Sequence, residues 1–312
     1  MKLILITPNK KQDYTTECII EGFKKLNCTL YASDLGNGIV EAYDDEILKN
    51  ELHDSNAIVY FFGKVRDNRP PKHHLFKDVK NVKKIYVDGS EWTYTGYPEQ
   101  NQIKLSLVYP HKRRGSFWVN EPMLQMVDFY FKRETYPEDQ ERGIIPLPFG
   151  LMDRHIINST EKDIDLFCVF GQTNTGLRKE VYDICQKLSL EKKYKIIVSN
   201  SISNEEYKNL IARSRIVVDA WGGGDNCDRF YEAIGAKACC LYQRYQTIVP
   251  NPFIDNTHAI SYSNINEFID KLQFLLQQRD LSIEIGNEGY KHAIRYHSSI
   301  ERSKSIIEKI LG

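Results

Sequence analysis

The sequence carries no excess of charge of either sign: its 312 residues include 42 Lys+Arg and 42 Asp+Glu. Such a balance argues against a chain built as a whole to coat nucleic acid or an anionic membrane, while leaving room for a local basic patch and for peripheral membrane contact. No apolar run approaches the roughly 18 residues that a membrane span needs. The opening run Leu3–Ile6 stops at Thr7-Pro8 and is too short for a signal-peptide core. Seven cysteines, an odd number at irregular spacing, give neither a disulfide framework nor a paired metal motif. Short-period repeats and low-complexity segments are also lacking. What is present is 41% hydrophobic and 12% aromatic residues, enough for real cores and too apolar for disorder. The chain reads as a soluble, reduced, cytoplasmic globular protein of about two domains, at roughly 150 residues each.

The first half alternates short β-rich runs with helical patterns. Lys2–Ile6, Cys28–Ala32, Ala57–Phe62 and Lys84–Val87 have strand character, and Thr16–Leu26 and Asp44–Leu52 have helical spacing. Residues 89–143 are less regular. The run Gly143–Gly150, with two prolines and a closing glycine, reads as the exit from a first domain spanning 1–150, followed by a linker at about 150–163. A second domain over 163–312 repeats the alternation. Its strands are Asp165–Phe170, Tyr194–Ser199, Arg215–Trp221, Lys237–Gln243 and His258–Tyr262. Its helices begin at capping-box spacings, Ser203 with Glu206 and Ser298 with Glu301, or at Asn264 with Glu267. Alternating strands and helices predict parallel α/β sheets, with chemistry in the loops that follow strands.

Four such loops carry candidate residues. Gly171–Arg178 has glycines spaced as in a P-loop, but Leu177 and Arg178 replace the lysine and hydroxyl residues that would hold terminal phosphates and Mg²⁺. A glycine turn opening a helix still favours an anion, and Arg178 could add a bidentate contact; the plain alternative is a polar turn with a solvated arginine. Trp221–Glu232 contains Gly222, Gly223 and Gly224, then Asp225, and then Arg229 and Glu232 three residues apart on one helix face. Consecutive glycines let backbone approach a ligand. A phosphate pair at Arg229 and ribose hydroxyls at Glu232 would satisfy both side chains; an ordinary surface ion pair is the alternative. Asp88-Gly89-Ser90-Glu91 ends a first-domain strand, where Asp88 or Glu91 could supply a general base or simply build a turn. His111–Arg114 is the densest basic cluster.

The stretches Glu206–Ala220 and Asp228–Ala236, with Arg229-Phe230-Tyr231-Glu232-Ala233 at their centre, resemble the nucleotide-binding half of group 1 glycosyltransferases, nearest their spore-maturation-protein-like branch. The resemblance covers about 163–311 and is weaker over the first half. It implies a GT-B fold: two Rossmann-like α/β domains facing across a cleft, donor in the second and acceptor mainly in the first, with the C-terminal helix able to pack back on the first. By position, Glu232 matches the acid that grips the ribose, Arg229 the arginine just before it, and Arg178 the basic residue after the first glycine loop. Gly171, Gly223, Gly224 and Asp225 complete the implied donor site. The second acid of many retaining members falls on Gly224, beside Asp225, and the glycine usually found five residues after the ribose-binding acid falls on Lys237, so the anomeric outcome stays open. An inverting reaction would need a first-domain base, for which Asp88, Glu91 and His111 are the candidates in that order.

These readings predict a sugar transferase. A nucleotide-diphosphate sugar would act as donor substrate and a glycan, lipid-linked glycan or other small hydroxyl compound as acceptor, with no obligatory metal or cofactor. A GT-B-type nucleotide-sugar epimerase and a non-catalytic GT-B scaffold protein are the alternatives, and nucleic acid is disfavoured as a partner by the zero net charge.

Overall fold

The computed structural model describes residues 1–7, 14–34, 39–61, 72–76, 78–90, 119–157, 161–171, 176–222 and 224–312. They form two units, 1–150 with 247–250 and 298–312, and 151–246 with 251–297.

In the first unit the elements run β1 (Lys2–Ile6), α1 (Tyr14–Lys25), β2 (Thr29–Ala32), α2 (Asp45–Glu51), β3 (Ala57–Phe61), β4 (Lys83–Asp88), α3 (Glu121–Met126), β5 (Phe129–Lys132), α4 (Pro137–Glu141) and β6 (Ile144–Pro146). The strands make one parallel sheet in the order β2-β1-β3-β4-β5-β6. All five residues of β3 are buried, as its unbroken apolar run requires of a strand covered on both faces. Leu3, Leu5, Ile20 and Phe23 build the core on one face, and Ile4, Tyr60, Tyr86 and Met123 build it on the other. β6 lies at an edge, where Pro146 costs no ladder hydrogen bond.

Between 89 and 143 the irregular-looking sequence hides β5. It is only four residues long and ends in Lys132, a fully buried lysine, so its pattern is not that of a strand read from hydropathy.

The second unit runs β7 (Ile164–Val169), α5 (Gly176–Leu190), β8 (Ile196–Ser199), α6 (Asn204–Arg213), β9 (Ser214–Asp219), α7 (Asp228–Gly235), β10 (Cys239–Gln243), β11 (Ile260–Tyr262), α8 (Ile265–Gln277) and α9 (Arg279–Tyr296). Ser203 and Asn264 cap α6 and α8 by accepting the backbone N–H of Glu206 and Glu267. Its parallel sheet has the order β11-β10-β9-β7-β8. The chain goes from β7 outward to β8, then returns to β9 on the other side of β7. That reversal is the topological switch point of an open α/β sheet, and it brings the loops after β7 and β9 together at the carboxyl ends of the strands. Cys239 and Cys240 are both fully buried in β10, as core residues.

The final helix, α10 (Ser299–Leu311), counts with the first unit although the sequence segments it with the second. Ser298 caps it, and Ile306 and Ile310 join the core beneath α1. A β-carbon added to Gly22 would collide with the Ser299 carbonyl, so α1 and α10 approach backbone to backbone only because residue 22 has no side chain. Among the described residues no helix is long and apolar enough to cross a membrane.

Candidate functional site

The switch point of the second sheet gathers the residues with most chemical content. β7 runs into Phe170, which is fully buried. Arg178, in the first turn of α5, lays its guanidinium over that ring at 5.0 Å and donates from Nη2 to the Ala220 carbonyl at 2.5 Å. Arg229, in the first turn of α7, sets its guanidinium over the same ring at 4.8 Å. Two cations thus share one aromatic platform, an arrangement stabilised by the ring quadrupole.

Asp219 closes β9 at this point and is 2% exposed. Its Oδ1 stands 3.7 Å from Arg229 Nη1, an ion pair too long to be a good hydrogen bond. Burial, opposed by Arg229 and Arg178, pushes the Asp219 carboxyl up to about 6. Asp219 Oδ1, Arg178 Nε and Arg229 Nε are all buried without a hydrogen-bond partner. Buried polar atoms in native proteins nearly always have partners, so three orphans in one place mark a site that expects something more.

The loop from 220 to 227 is tied down around this cluster. Trp221 donates its backbone N–H to Gln243 Oε1 and its indole N–H to the Gln243 carbonyl, anchoring the loop to the end of β10. Gly222 donates to the Gly224 carbonyl at 3.1 Å, and a β-carbon at residue 222 would lie 3.0 Å from Arg178 Nη2. A side chain at that position would press on the end of the Arg178 side chain. Asp225 is buried and accepts the Gln246 backbone N–H at 2.5 Å, which makes it a clasp between the loop and the chain after β10. Gly171 is exposed and has open space around it. Gly223 lies outside the described residues.

α7 starts at Asp228, with no side-chain cap from Cys227. Its N-terminal N–H groups and dipole favour an anion at this end of the strands. Asp228 itself is taken up by Arg154 Nη2 at 2.7 Å and His155 Nε2 at 3.2 Å. One turn on, Glu232 Oε2 accepts a hydrogen bond from the Tyr207 hydroxyl of α6 at 2.7 Å, and Tyr207 packs edge-on against Phe167. Arg229 and Glu232, expected as a pair on one helix face, both meet the Tyr207 hydroxyl, and Arg229 also faces Asp219.

The first-unit candidates fare differently. Asp88 is buried at the end of β4, with Oδ1 accepting the Ser90 N–H at 2.9 Å and Oδ2 engaged by the Tyr130 hydroxyl at 2.5 Å and Lys132 Nζ at 3.2 Å. Lys132 also donates to Ser90 Oγ at 2.6 Å. Both oxygens of Asp88 are thus committed to a buried network, and a base needs one of them free. Glu91 and His111 lie outside the described residues. Sequence reasoning overlooked Asp219, Tyr207 and Phe170. Asp219 was visible as an acid closing the apolar run Ile216–Val218, whereas nothing in the sequence pairs Tyr207 with Glu232.

With this geometry in place, comparison with known proteins is informative. Residues 164–308 match the family model described as glycosyl transferase-like. Over that segment the chain is similar to that family. No curated protein sequence matches the chain. Among solved structures, a glycosyltransferase from Rickettsia africae is 12% identical with a TM-score of 0.60, covering 99% of this chain and 98% of that one. Anabaena HepE in complex with UDP and glucose is 8% identical with a TM-score of 0.62, covering 100% and 99%. An alpha-glucosyltransferase in complex with UDP-glucose and DNA containing an abasic site is 9% identical at 0.58, covering 100% and 99%. At these identities the likeness is one of fold. The chain has the GT-B fold, with two Rossmann-like α/β units, and the segment that matches the family model contains the whole Arg178–Asp219–Arg229–Glu232 cluster.

Proposed function

We propose that this glycosyl transferase-like domain binds a nucleotide-diphosphate sugar and that the chain transfers its sugar to a hydroxyl acceptor. The observation that carries the reading is the pair of guanidiniums on one phenyl ring, at 5.0 and 4.8 Å, beside the N-terminus of α7. A diphosphate is the ligand whose charge and oxygen count match two arginines and a helix dipole. Glu232, one turn further along α7, is the acid for the ribose hydroxyls.

In the reaction, the bond from the anomeric carbon to the donor phosphate breaks while the acceptor oxygen bonds to that carbon. Negative charge builds on the departing diphosphate, and Arg178, Arg229 and the α7 N–H groups stabilise it there without relocating. If the reaction inverts, the acceptor proton passes to a base for which Asp88, Glu91 and His111 are the first-unit candidates. Asp88 would have to release one of its donors to serve, so variants at Glu91 and His111 come first. The acceptor itself is a glycan, a lipid-linked glycan or another small hydroxyl compound.

A thermal-shift panel with UDP, GDP, ADP, dTDP and CMP tests the donor half of the reading, with UDP first because solved neighbours hold UDP or UDP-glucose. A nucleotide at about 100 times its dissociation constant adds roughly 2.7 kcal/mol to the folded state. One nucleotide should raise the melting temperature of wild type and lose that effect in Glu232→Ala. A flat response to the whole panel would overturn the donor assignment.

A further inference from the structure

The donor reading leaves one group without a role. Asp219 is a buried acid at the end of the central strand, beside the two arginines that the donor reading gives to the diphosphate. Its Oδ1 is 3.7 Å from Arg229 Nη1 and has no hydrogen-bond partner. The two arginines beside it each leave Nε unpaired. A carboxylate placed for direct recognition of a sugar or ribose would not be packed against the phosphate-binding cations, because it repels the phosphate. A carboxylate placed to hold the arginines permanently would make short, paired contacts with them. The observed geometry fits neither: it is a loose ion pair between buried groups, with the Ala220 backbone N–H as a further partner of the carboxylate.

We infer that Asp219 is an internal counter-ion that neutralises Arg178 and Arg229 in the free protein and takes up a proton when a nucleotide sugar's diphosphate replaces it at those arginines. This inference rests on the donor reading above. The proton comes from solvent and adds to the carboxylate, and no bond of the donor changes in the step. The environment suits it. Facing Asp219 are Arg178 from α5, Arg229 and Glu232 from α7, Cys227 from the loop, Cys240 from β10, and the hydroxyl-bearing rings of Tyr245 and Tyr262. Burial holds both thiols and both phenols protonated well past neutrality. Asp219 is the acid among them already poised near 6, and a diphosphate brought beside it raises it further. Asp228 is not a competitor, being held by Arg154 and His155.

The consequence is thermodynamic linkage: donor affinity falls as pH rises, by at most about tenfold per pH unit for one proton taken up. UDP-glucose is the probe, because its doubly esterified diphosphate has no group that titrates near neutrality. Calorimetry at about pH 7 in two buffers of different ionisation enthalpy reads the protons exchanged. Wild type should take up a substantial fraction of one proton on binding, and its affinity should weaken between about pH 6 and 8. Asp219→Asn should bind with no proton exchange and a flat pH profile.

A readout on wild type alone guards against a variant that misfolds: infrared difference spectra should gain a protonated-carboxyl band on adding UDP-glucose. Binding by wild type without proton uptake or without that band overturns the inference and leaves the donor reading standing, as does unchanged uptake in Asp219→Asn. No binding of UDP-glucose at any pH takes down both.

Discussion

At the scale of single residues, the second unit owes its chemistry to side chains that touch charged neighbours in a dry place. If Glu232 binds a ribose as proposed, Tyr207 is a positioning residue, since its hydroxyl donates to one oxygen of Glu232. Removing that hydroxyl in Tyr207→Phe deletes a hydrogen bond to a charged group, of about 1.5–3 kcal/mol. Titration calorimetry should show tenfold or greater loss of affinity for a ribonucleoside diphosphate, and a much smaller loss for its 2′-deoxy counterpart. Equal losses for both would reduce Tyr207 to a packing residue.

Asp219 makes a second prediction, about stability. Its folded-state pKa of about 6 lies above the usual carboxylate value, so the folded chain binds this proton more tightly than the unfolded one. Its contribution is therefore most favourable below about pH 4 and is lost as pH rises through 6. Replacing a buried charge held at this disadvantage should help, so Asp219→Asn should be more stable than wild type near pH 8, by up to about 3 kcal/mol. The gain should shrink towards pH 4. Denaturant midpoints across that range check it.

At the scale of elements, the opposite end of the second sheet shows what the same residue types do when fully paired. Arg215 opens β9, is 2% exposed, and donates to Asp165 Oδ1, Ser282 Oγ and the carbonyls of Leu275 and Leu276. It thereby closes the C-terminal turn of α8, whose last carbonyls have no partner within the helix. Arg215→Ala leaves two helix-end carbonyls unsatisfied and removes one of the partners of Asp165, and should cost about 3–5 kcal/mol in equilibrium unfolding. Arg178 and Arg229 differ from it in each leaving a buried Nε without a hydrogen-bond partner.

Elements also differ in how far the sequence betrays them. Strands and helices with a broad apolar face, such as β3, α1 and α8, follow directly from residue spacing. α9, eighteen residues long, does not, because its buried face consists of Ser282, Gly286, Gly289 and Ala293 around Ile285. Small residues there serve close approach: a β-carbon on Gly286 would lie 2.6 Å from the Lys237 carbonyl. Hydropathy reads apolar surface and is blind to contacts made by having no side chain.

At the scale of the whole molecule, the chain finishes in the unit where it began. α10 brings Ile306 and Ile310 to the core that β1 and α1 build, more than 270 residues earlier in sequence. Burying two such side chains is worth roughly 3–6 kcal/mol, comparable with the whole stability of a typical domain. Truncation after residue 298 should therefore abolish cooperative unfolding of the first unit and promote aggregation. Circular dichroism melts and size-exclusion profiles of the truncated chain test this. A truncated protein that melts like the full chain would show that α10 is dispensable.

By itself, the sequence determined the alternation of strands and helices, the glycine loops that follow strands, and the residue types Arg178, Arg229 and Glu232. These are local properties, written in spacing of two or 3.6 residues and in the special conformations of glycine and proline. Only the tertiary structure decided which of these residues meet. The return of the chain from β8 to β9 puts Phe170, Arg178 and Arg229 in one place, and it sets Asp219 against them. It also brings Tyr207 to both Arg229 and Glu232, and it commits Asp88 to Lys132 and Tyr130. Pairings of that kind depend on strand order, and strand order is set by which buried faces fit together across the whole unit, not by any short stretch of sequence.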